Sequence, residues 1–324
     1  MKAYEVSPKK IITVCGTITE STDPSFKEPR DHDHEEADTL IVFHCLEAAE
    51  DNPGCKINVH SIDTDVYLLL LPVAHDIKTD RLYMMVGRGT TKREIDIIEH
   101  AMLLGKEKCR ALLGLHAFTG ADWGGKFATI SKKSWIKAFL NLDDTNEIVN
   151  ALASFGSGYQ NPNDEVCYIL EKFVCMVYSP KSSKYTSEEL RWELFRLRSK
   201  EGEKLPPTRA SFLPHVWRAN YMTMMWKSGR NLLMGLPSQE THGWIKNDIL
   251  EPIMCLEPPA PSAMLALLKC ACKTGCVSGS KRCGCQRNNL NCTDACSCGD
   301  CENQRTEKLE SIPDVDDASD ENDN

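Results

Sequence analysis

The sequence predicts an α/β domain, then a helical region, then a small cysteine-only module that folds around metal. Three observations predict this. Helical and strand-like apolar periods alternate from residue 35 to 125, strand signals fade from 126 to 255, and nine of the sixteen cysteines fall between 270 and 301. The chain has 324 residues, 41% hydrophobic and 26% charged, which is enough for a packed core and argues against global disorder. No run of about 18 apolar residues occurs, so no membrane-spanning helix is expected. The opening Met1–Lys10 has no apolar stretch of the secretory kind. Together these place the chain in a reducing, intracellular compartment with no membrane partner.

Net charge is −9, but the segment Asp314–Asn324 carries five Asp, one Glu and no base, and without it the charge is −3. Residues 304–324 are therefore expected to be a solvated acidic tail. Residues 1–34 read as short strand-like pieces and polar linker. Residues 35–50 read as a helix, because Ala37, Leu40, Ile41, Cys45 and Ala48 recur at helical spacing. Asn52-Pro53-Gly54 ends it. Lys56–Ser61 reads as a strand, continued by an apolar run at Val66–Leu71, and Arg81–Val86 reads as another. Lys92–Leu104 reads as a helix closed by Gly105, and Cys109–Phe118 as a further helix. Alternation of this kind predicts a covered, mainly parallel sheet.

In the region 126–255, Thr186-Ser187-Glu188-Glu189 has the form of a capping box opening a helix through Arg198. Ala210–Lys227 is expected to be helical and bent by Pro214. Residues 256–268 form a Pro-rich linker and short helix. His116 reads as a satisfied core histidine. Trp192, Trp217, Trp226 and Trp244 read as core, and Lys132-Lys133 with Arg196, Arg198 and Lys200 as solvated faces. The seven cysteines outside 270–301 read as small buried hydrophobes.

The module 269–303 has the spacing C-x-C-x3-C-x6-C-x-C-x6-C-x3-C-x-C-x2-C. It holds too few aliphatic residues to fold by burial, so metal must supply the missing free energy. Thiolates bind Zn2+ tetrahedrally, and structural sites fill all four positions. Three zinc ions on nine thiolates require bridging: Cys270, Cys272, Cys276, Cys283, Cys285, Cys292, Cys296, Cys298 and Cys301 are the candidate ligands. An odd count without a secretory leader argues against disulfides.

This pattern resembles the tesmin/TSO1-like CXC domains, carried here by Cys270-Ala271-Cys272, Cys276, Cys283-Gly284-Cys285, Cys292-Thr293, Cys296-Ser297-Cys298 and Cys301-Glu302-Asn303. The resemblance implies a three-zinc cluster, a DNA partner and a nuclear location. Arg282 stands where DNA-reading members often carry Tyr, and the module is a single copy. Lys269, Lys273, Lys281, Arg282 and Arg287 are the candidate phosphate contacts.

Three acidic motifs lie in the α/β region: Glu36-Ala37-Asp38, Asp63-Thr64-Asp65 and Gly120-Ala121-Asp122. Carboxylates at element ends are a usual cradle for Mg2+ or Mn2+. Taken singly, each also reads as a helix-starting or turn acid. A haloacid-dehalogenase reading of the D-x-D is disfavoured by Tyr67, and a glycosyltransferase reading by the missing secretory route. In their order, the motifs resemble the flap-endonuclease (XPG/FEN-like) branch of PIN-like nucleases. That resemblance implies that Glu36, Asp38, Asp63, Asp65 and Asp122 ligate two divalent metals for phosphodiester hydrolysis. His34–Thr39, Asp63–Val66, Leu115–Gly120, Leu205–Thr208 and the cysteine end together look like transposon-associated animal proteins joining a PIN-like domain to a CXC end. Only 35 residues precede Glu36, which implies a truncated PIN-like domain, a degenerate or lost nuclease, and Asp31 or Asp33 as the acids nearest to compensate. The alternative is a non-catalytic protein-interaction scaffold with a structural zinc unit. No small-molecule cofactor is expected.

Overall fold

The computed structural model describes residues 11–16, 18–22, 32–122, 124–196, 204–255, 270, 272–273, 276, 282–287, 292, 296–298 and 301–303. The linker, the acidic tail, Asp31, Arg198, Lys200, Lys269 and Lys281 lie outside them. The chain divides into two compact units: Met1–Ser187 with Pro206–Cys255, and Glu188–Leu205 with Leu256–Asn324.

The first unit opens with an antiparallel hairpin, β1 (Ile12–Cys15) and β2 (Ile18–Ser21). Helix α1 (Ala37–Asp51) follows, at the expected place. Then come β3 (Ile57–His60), α2 (Thr64–Val73), β4 (Leu82–Val86), β5 (Arg93–Asp96), α3 (Ile97–Leu104) and α4 (Lys106–Thr119). The strands form one sheet in the order β3-β4-β5.

Three expectations are corrected here. The sheet is mixed: β3 and β4 are parallel, but β4 and β5 are antiparallel. The connection from Val86 to Arg93 is too short for the crossover of about a dozen residues that parallel pairing needs. Next, the run Val66–Leu71 is helix, because Asp63 caps its start by accepting a hydrogen bond from the Asp65 amide at 2.9 Å. Val66, Leu69, Leu70 and Leu71 are all buried, so the helix is apolar on more than one face and shows no polar stripe to read. Finally, Lys92–Leu104 splits at Asp96. Arg93–Asp96 pairs with β4, and the Asp96 carboxylate accepts from the Glu99 amide at 3.0 Å to open α3. Gly105, at φ 83°, closes that helix as expected.

Helices α5 (Lys132–Leu140), α6 (Glu147–Ser154), α7 (Asp164–Tyr178) and α9 (Arg209–Ser228) complete the unit, capped by Ser131, Asn146, Asn163 and Thr208 respectively. Helix α8 (Ser187–Arg196) opens at the expected place, and its expected end at Arg198 lies outside the described residues. A small antiparallel pair, β6 (Trp244–Lys246) and β7 (Leu250–Pro252), lies where no strand was expected. Phe118, Phe127, Trp135, Phe173 and Phe212 form an aromatic core with ring centroids 4.9–6.1 Å apart. Trp226 and Trp244 are buried as expected, and Trp192 and Trp217 are half-buried. Of the seven cysteines outside the cluster, Cys45, Cys109, Cys167 and Cys175 are buried, whereas Cys15 is exposed and Cys55 and Cys255 are only partly covered. Among the described residues no helix is long and apolar enough to cross a membrane.

Helix α4 packs on α2, α6 and α9, so the α/β elements and the later helices share one core. The α4–α6 crossing is closest at Gly114, where an added Cβ would meet the Leu152 carbonyl oxygen at 2.3 Å. That neighbour is backbone and cannot swing away. Gly114→Ala is therefore expected to lower stability by about 1–3 kcal/mol despite alanine's better helix propensity, readable as a lower denaturation midpoint in urea. An unchanged midpoint would mean that the helices do not cross so closely.

Candidate metal centres

The cysteine module has a core of sulfur. Cys270, Cys276, Cys283, Cys285, Cys292, Cys298 and Cys301 are buried, with Cys272 and Cys296 packed against them. All nine are free thiols. Sulfur–sulfur distances are 3.4 Å for Cys270–Cys298 and Cys283–Cys292, 3.5 Å for Cys285–Cys296 and 3.8 Å for Cys270–Cys276. A disulfide needs about 2.05 Å. The edge of a zinc–thiolate tetrahedron with Zn–S near 2.3 Å is about 3.8 Å. The spacing therefore fits a metal tetrahedron and excludes disulfides.

Three quartets of sulfurs each lie within 4.8 Å of one another: Cys270/Cys283/Cys285/Cys292, Cys270/Cys276/Cys292/Cys298 and Cys270/Cys272/Cys276/Cys283. The cluster can hold zinc, and the shared members make bridging geometrically natural. Backbone bonds tie the segments together: Ser297 N to Cys270 O at 2.9 Å, Cys292 N to Asn303 O at 2.9 Å, and Asn303 N to Cys276 O at 3.1 Å. The Asn303 amide also donates to Cys292 Sγ at 3.3 Å, the kind of outer contact that orients a ligand. The short helix α10 (Gly284–Arg287) follows Cys283. Burial pushes the Cys285 and Cys298 thiols up to about 12 and raises Cys276 and Cys292 as well, so metal uptake must release protons. Lys273, Arg282 and Arg287 are exposed.

The five candidate carboxylates come from α1, α2 and the turn after α4. Glu36 precedes α1 and Asp38 lies in its first turn. Asp63 caps α2 and Asp65 lies in its first turn. Asp122 follows Gly120, whose φ of 117° lets the chain turn off the end of α4. These elements bring the other four acids within electrostatic range of Asp38. Asp38 is raised to about 6, first by burial and then by the negative charges of Asp63, Glu36, Asp65 and Asp122. Among the described residues, however, the tight groups of three or more metal-ligating atoms consist of cysteine alone. No three of these carboxylates bring ligand oxygens within 4.8 Å of one another. Asp33 lies apart from the set, accepting from the Met234 amide at 2.7 Å and the Gly235 amide at 3.3 Å.

Two side chains at this site escaped sequence reading. His116 is buried, but it is not a satisfied core histidine. Its Nε2 lies 2.9 Å from Asp65 Oδ1, off the line of a well-aligned hydrogen bond, and its Nδ1 has no partner. Its ring leans on Trp226, with centroids 5.3 Å apart. Lys132 is not a solvated face either. It is half-buried, donates to the Gly120 carbonyl at 2.8 Å, and feels Asp65 and Asp122. The contact with His116 is the main reason that Asp65 stays below the usual carboxylate range, with burial opposing it and Lys132 assisting. A histidine inside an otherwise apolar helix six residues before Asp122 was the available signal for the first. Nothing in sequence marks the second.

No protein-family model, curated protein or solved structure matches the chain.

Asp38 carries a pH signature. Its folded pKa of about 6 exceeds the 3.8 of the free side chain. Between those values the folded state holds more protons than the unfolded one, so stability falls as pH rises from about 4 to about 6. Asp38→Asn should raise stability at pH 7 by on the order of 1 kcal/mol after allowance for solvent screening, and should flatten that slope. Thermal melts across pH 4–7 read both; an unaltered slope would show that Asp38 is not crowded by its neighbours.

Proposed function

We propose that this chain is a zinc-binding, DNA-associated protein of transposon lineage, with a CXC module and a divalent-cation site of the PIN-like type. The observation that carries the reading is the all-sulfur core, with its spacing at tetrahedral edges and its three interlocked quartets. Three zinc ions satisfy nine thiolates when some sulfurs bridge; the quartets contain seven of the nine, with Cys296 and Cys301 in the same sulfur core, and Cys270, common to all three, is the prime bridging position. Zinc here supplies cohesion to a segment that has no apolar core of its own. Exposed Lys273, Arg282 and Arg287 then sit on a rigid frame from which guanidinium and ammonium groups can contact phosphates. Lys281 belongs to the same basic set, and a nuclear location follows from the DNA partner.

Native, full-length protein should yield about three zinc ions per chain by elemental analysis. It should retard duplex DNA at low salt and lose that retardation on treatment with a chelator. Cluster thiols recovered as oxidised pairs from native protein, or purified protein free of zinc, would sink the reading.

The carboxylates give the proposal its second half. Glu36, Asp38, Asp63, Asp65 and Asp122 would hold Mg2+ or Mn2+, which would offset their charge and polarise a phosphodiester and its attacking water. The mutual repulsion felt at Asp38 supports this, because a hard cation relieves it. His116 holds the Asp65 carboxylate from one side, and Lys132 places a positive charge beside Asp65 and Asp122. Mn2+ should raise the melting temperature of the protein, and cleavage of branched DNA should vanish in Asp63→Ala and Asp65→Ala. Cleavage persisting in both variants would assign the activity elsewhere.

A second reading, a non-catalytic scaffold that binds other proteins, draws on a different observation. Asp63 already serves as a helix cap, and Asp65 is already engaged by His116. Melting unaffected by Mn2+, together with zinc present in full, would favour it.

A further inference from the structure

A cavity of about 540 Å³ opens between α1, α2, α4, α6 and α9. Cavities of roughly 300–1,000 Å³ are the size that small ligands occupy. It is not the carboxylate site, but it lies next along the same helices. Val42 is one turn from Asp38 on α1, Leu69 one turn from Asp65 on α2, and Leu113 about one turn from His116 on α4. Trp226, which touches His116, forms part of the cavity wall.

The lining divides by chemistry. Val42, Leu69, Leu113 and Trp226 form its apolar and aromatic floor, each showing only 1–4% of its surface. The rest of the lining includes three cations, Arg110, Lys227 and Arg230, and two carboxylates, Asp76 and Glu107. Lys227 donates to the Ala153 carbonyl at 2.8 Å and the Phe155 carbonyl at 2.5 Å, tying down the end of α6. It is held down to about 8 by burial first and then by the positive charge of Arg110, with Glu107 opposing and Arg230 adding a smaller push. Three cations thus share the lining with two acids. The ion pairs of the two guanidiniums are partly exposed, Arg110 to Glu107 at 3.1 Å and Arg230 to Asp76 at 3.2 Å, and Arg230 also donates to the Pro72 carbonyl at 3.2 Å. Asp76 is shared further with Lys106 at 3.0 Å. Pairs this exposed are weak, so an incoming phosphate can compete for both guanidiniums in the fork geometry that arginine offers.

We propose that this cavity is a binding site for a phosphate-bearing ligand with a flat body, of nucleoside monophosphate size. Arg110 and Arg230 take the phosphate, and the Trp226 wall takes the ring. The same chemistry is presented by a free mononucleotide and by the phosphorylated end of a nucleic-acid strand. The assignment uses none of the candidate metal ligands, so it stands or falls separately from the metal-site reading.

The test is calorimetric titration of the full-length protein, without added Mg2+ or Mn2+, with deoxyadenosine monophosphate, deoxyadenosine, inorganic phosphate and a 5′-phosphorylated tetranucleotide. Saturable binding of deoxyadenosine monophosphate is expected, weakened about tenfold or more for deoxyadenosine and for the Arg110→Gln and Arg230→Gln variants. Binding should survive in Asp63→Ala, which separates this site from the carboxylates. A tetranucleotide that binds more tightly than the monophosphate would identify a strand end, and the reverse order a free nucleotide. Arg230 also holds the Pro72 carbonyl. Should its variant fail to fold, Arg110→Gln decides, since the contact with Glu107 is a local one on the same helix. No saturable binding by the wild-type protein, equal affinity for deoxyadenosine, or an unweakened Arg110→Gln would overturn the proposal.

Discussion

The first unit depends on the burial of helix α4. From Ala111 to Thr119 every residue of that helix is buried, and α2, α3, α5, α6 and α9 all pack on it. Such a helix can satisfy its neighbours only with side chains of the right size at each contact, and at Gly114 the right size is none at all. Polar groups on it are costly unless engaged, which is why the His116 contact with Asp65 is informative. One buried rod therefore presents a histidine to the carboxylates near its C-terminal end, while Arg110 lines the cavity near its start.

The second unit answers the same requirement with other means. Its interior contains sulfur where a larger domain would have leucine and phenylalanine. Zinc held there would supply cohesion through a few strong, directional bonds in place of many weak contacts. With zinc in place the two parts of the chain would respond to different insults: a chelator would act on one, and a cavity-forming or overpacking substitution on the other.

How much could be read in advance followed from how local each signal is. The cysteine spacing was fully legible because ligands for a small cluster must be close in sequence. Helix α1 and the stop at Gly105 were legible because period and cap are local too. The apolar run in α2 was not, since burial on several faces erases the polar stripe that marks a helix. The strand Arg93–Asp96 was hidden inside a longer helical period, and only its partner β4 reveals it. The five acids were legible as motifs, and four of them act by charge on Asp38, but His116 and Lys132 join them through tertiary packing alone. The cavity was beyond reach altogether, because its lining runs from Val42 to Arg230.

The close crossing at Gly114 has a mechanical consequence. A helix seated against a neighbour's backbone at a glycine cannot turn another face toward it, because any side chain there would meet the Leu152 carbonyl. The directions in which Arg110 and His116 leave the helix are thereby set by one missing side chain.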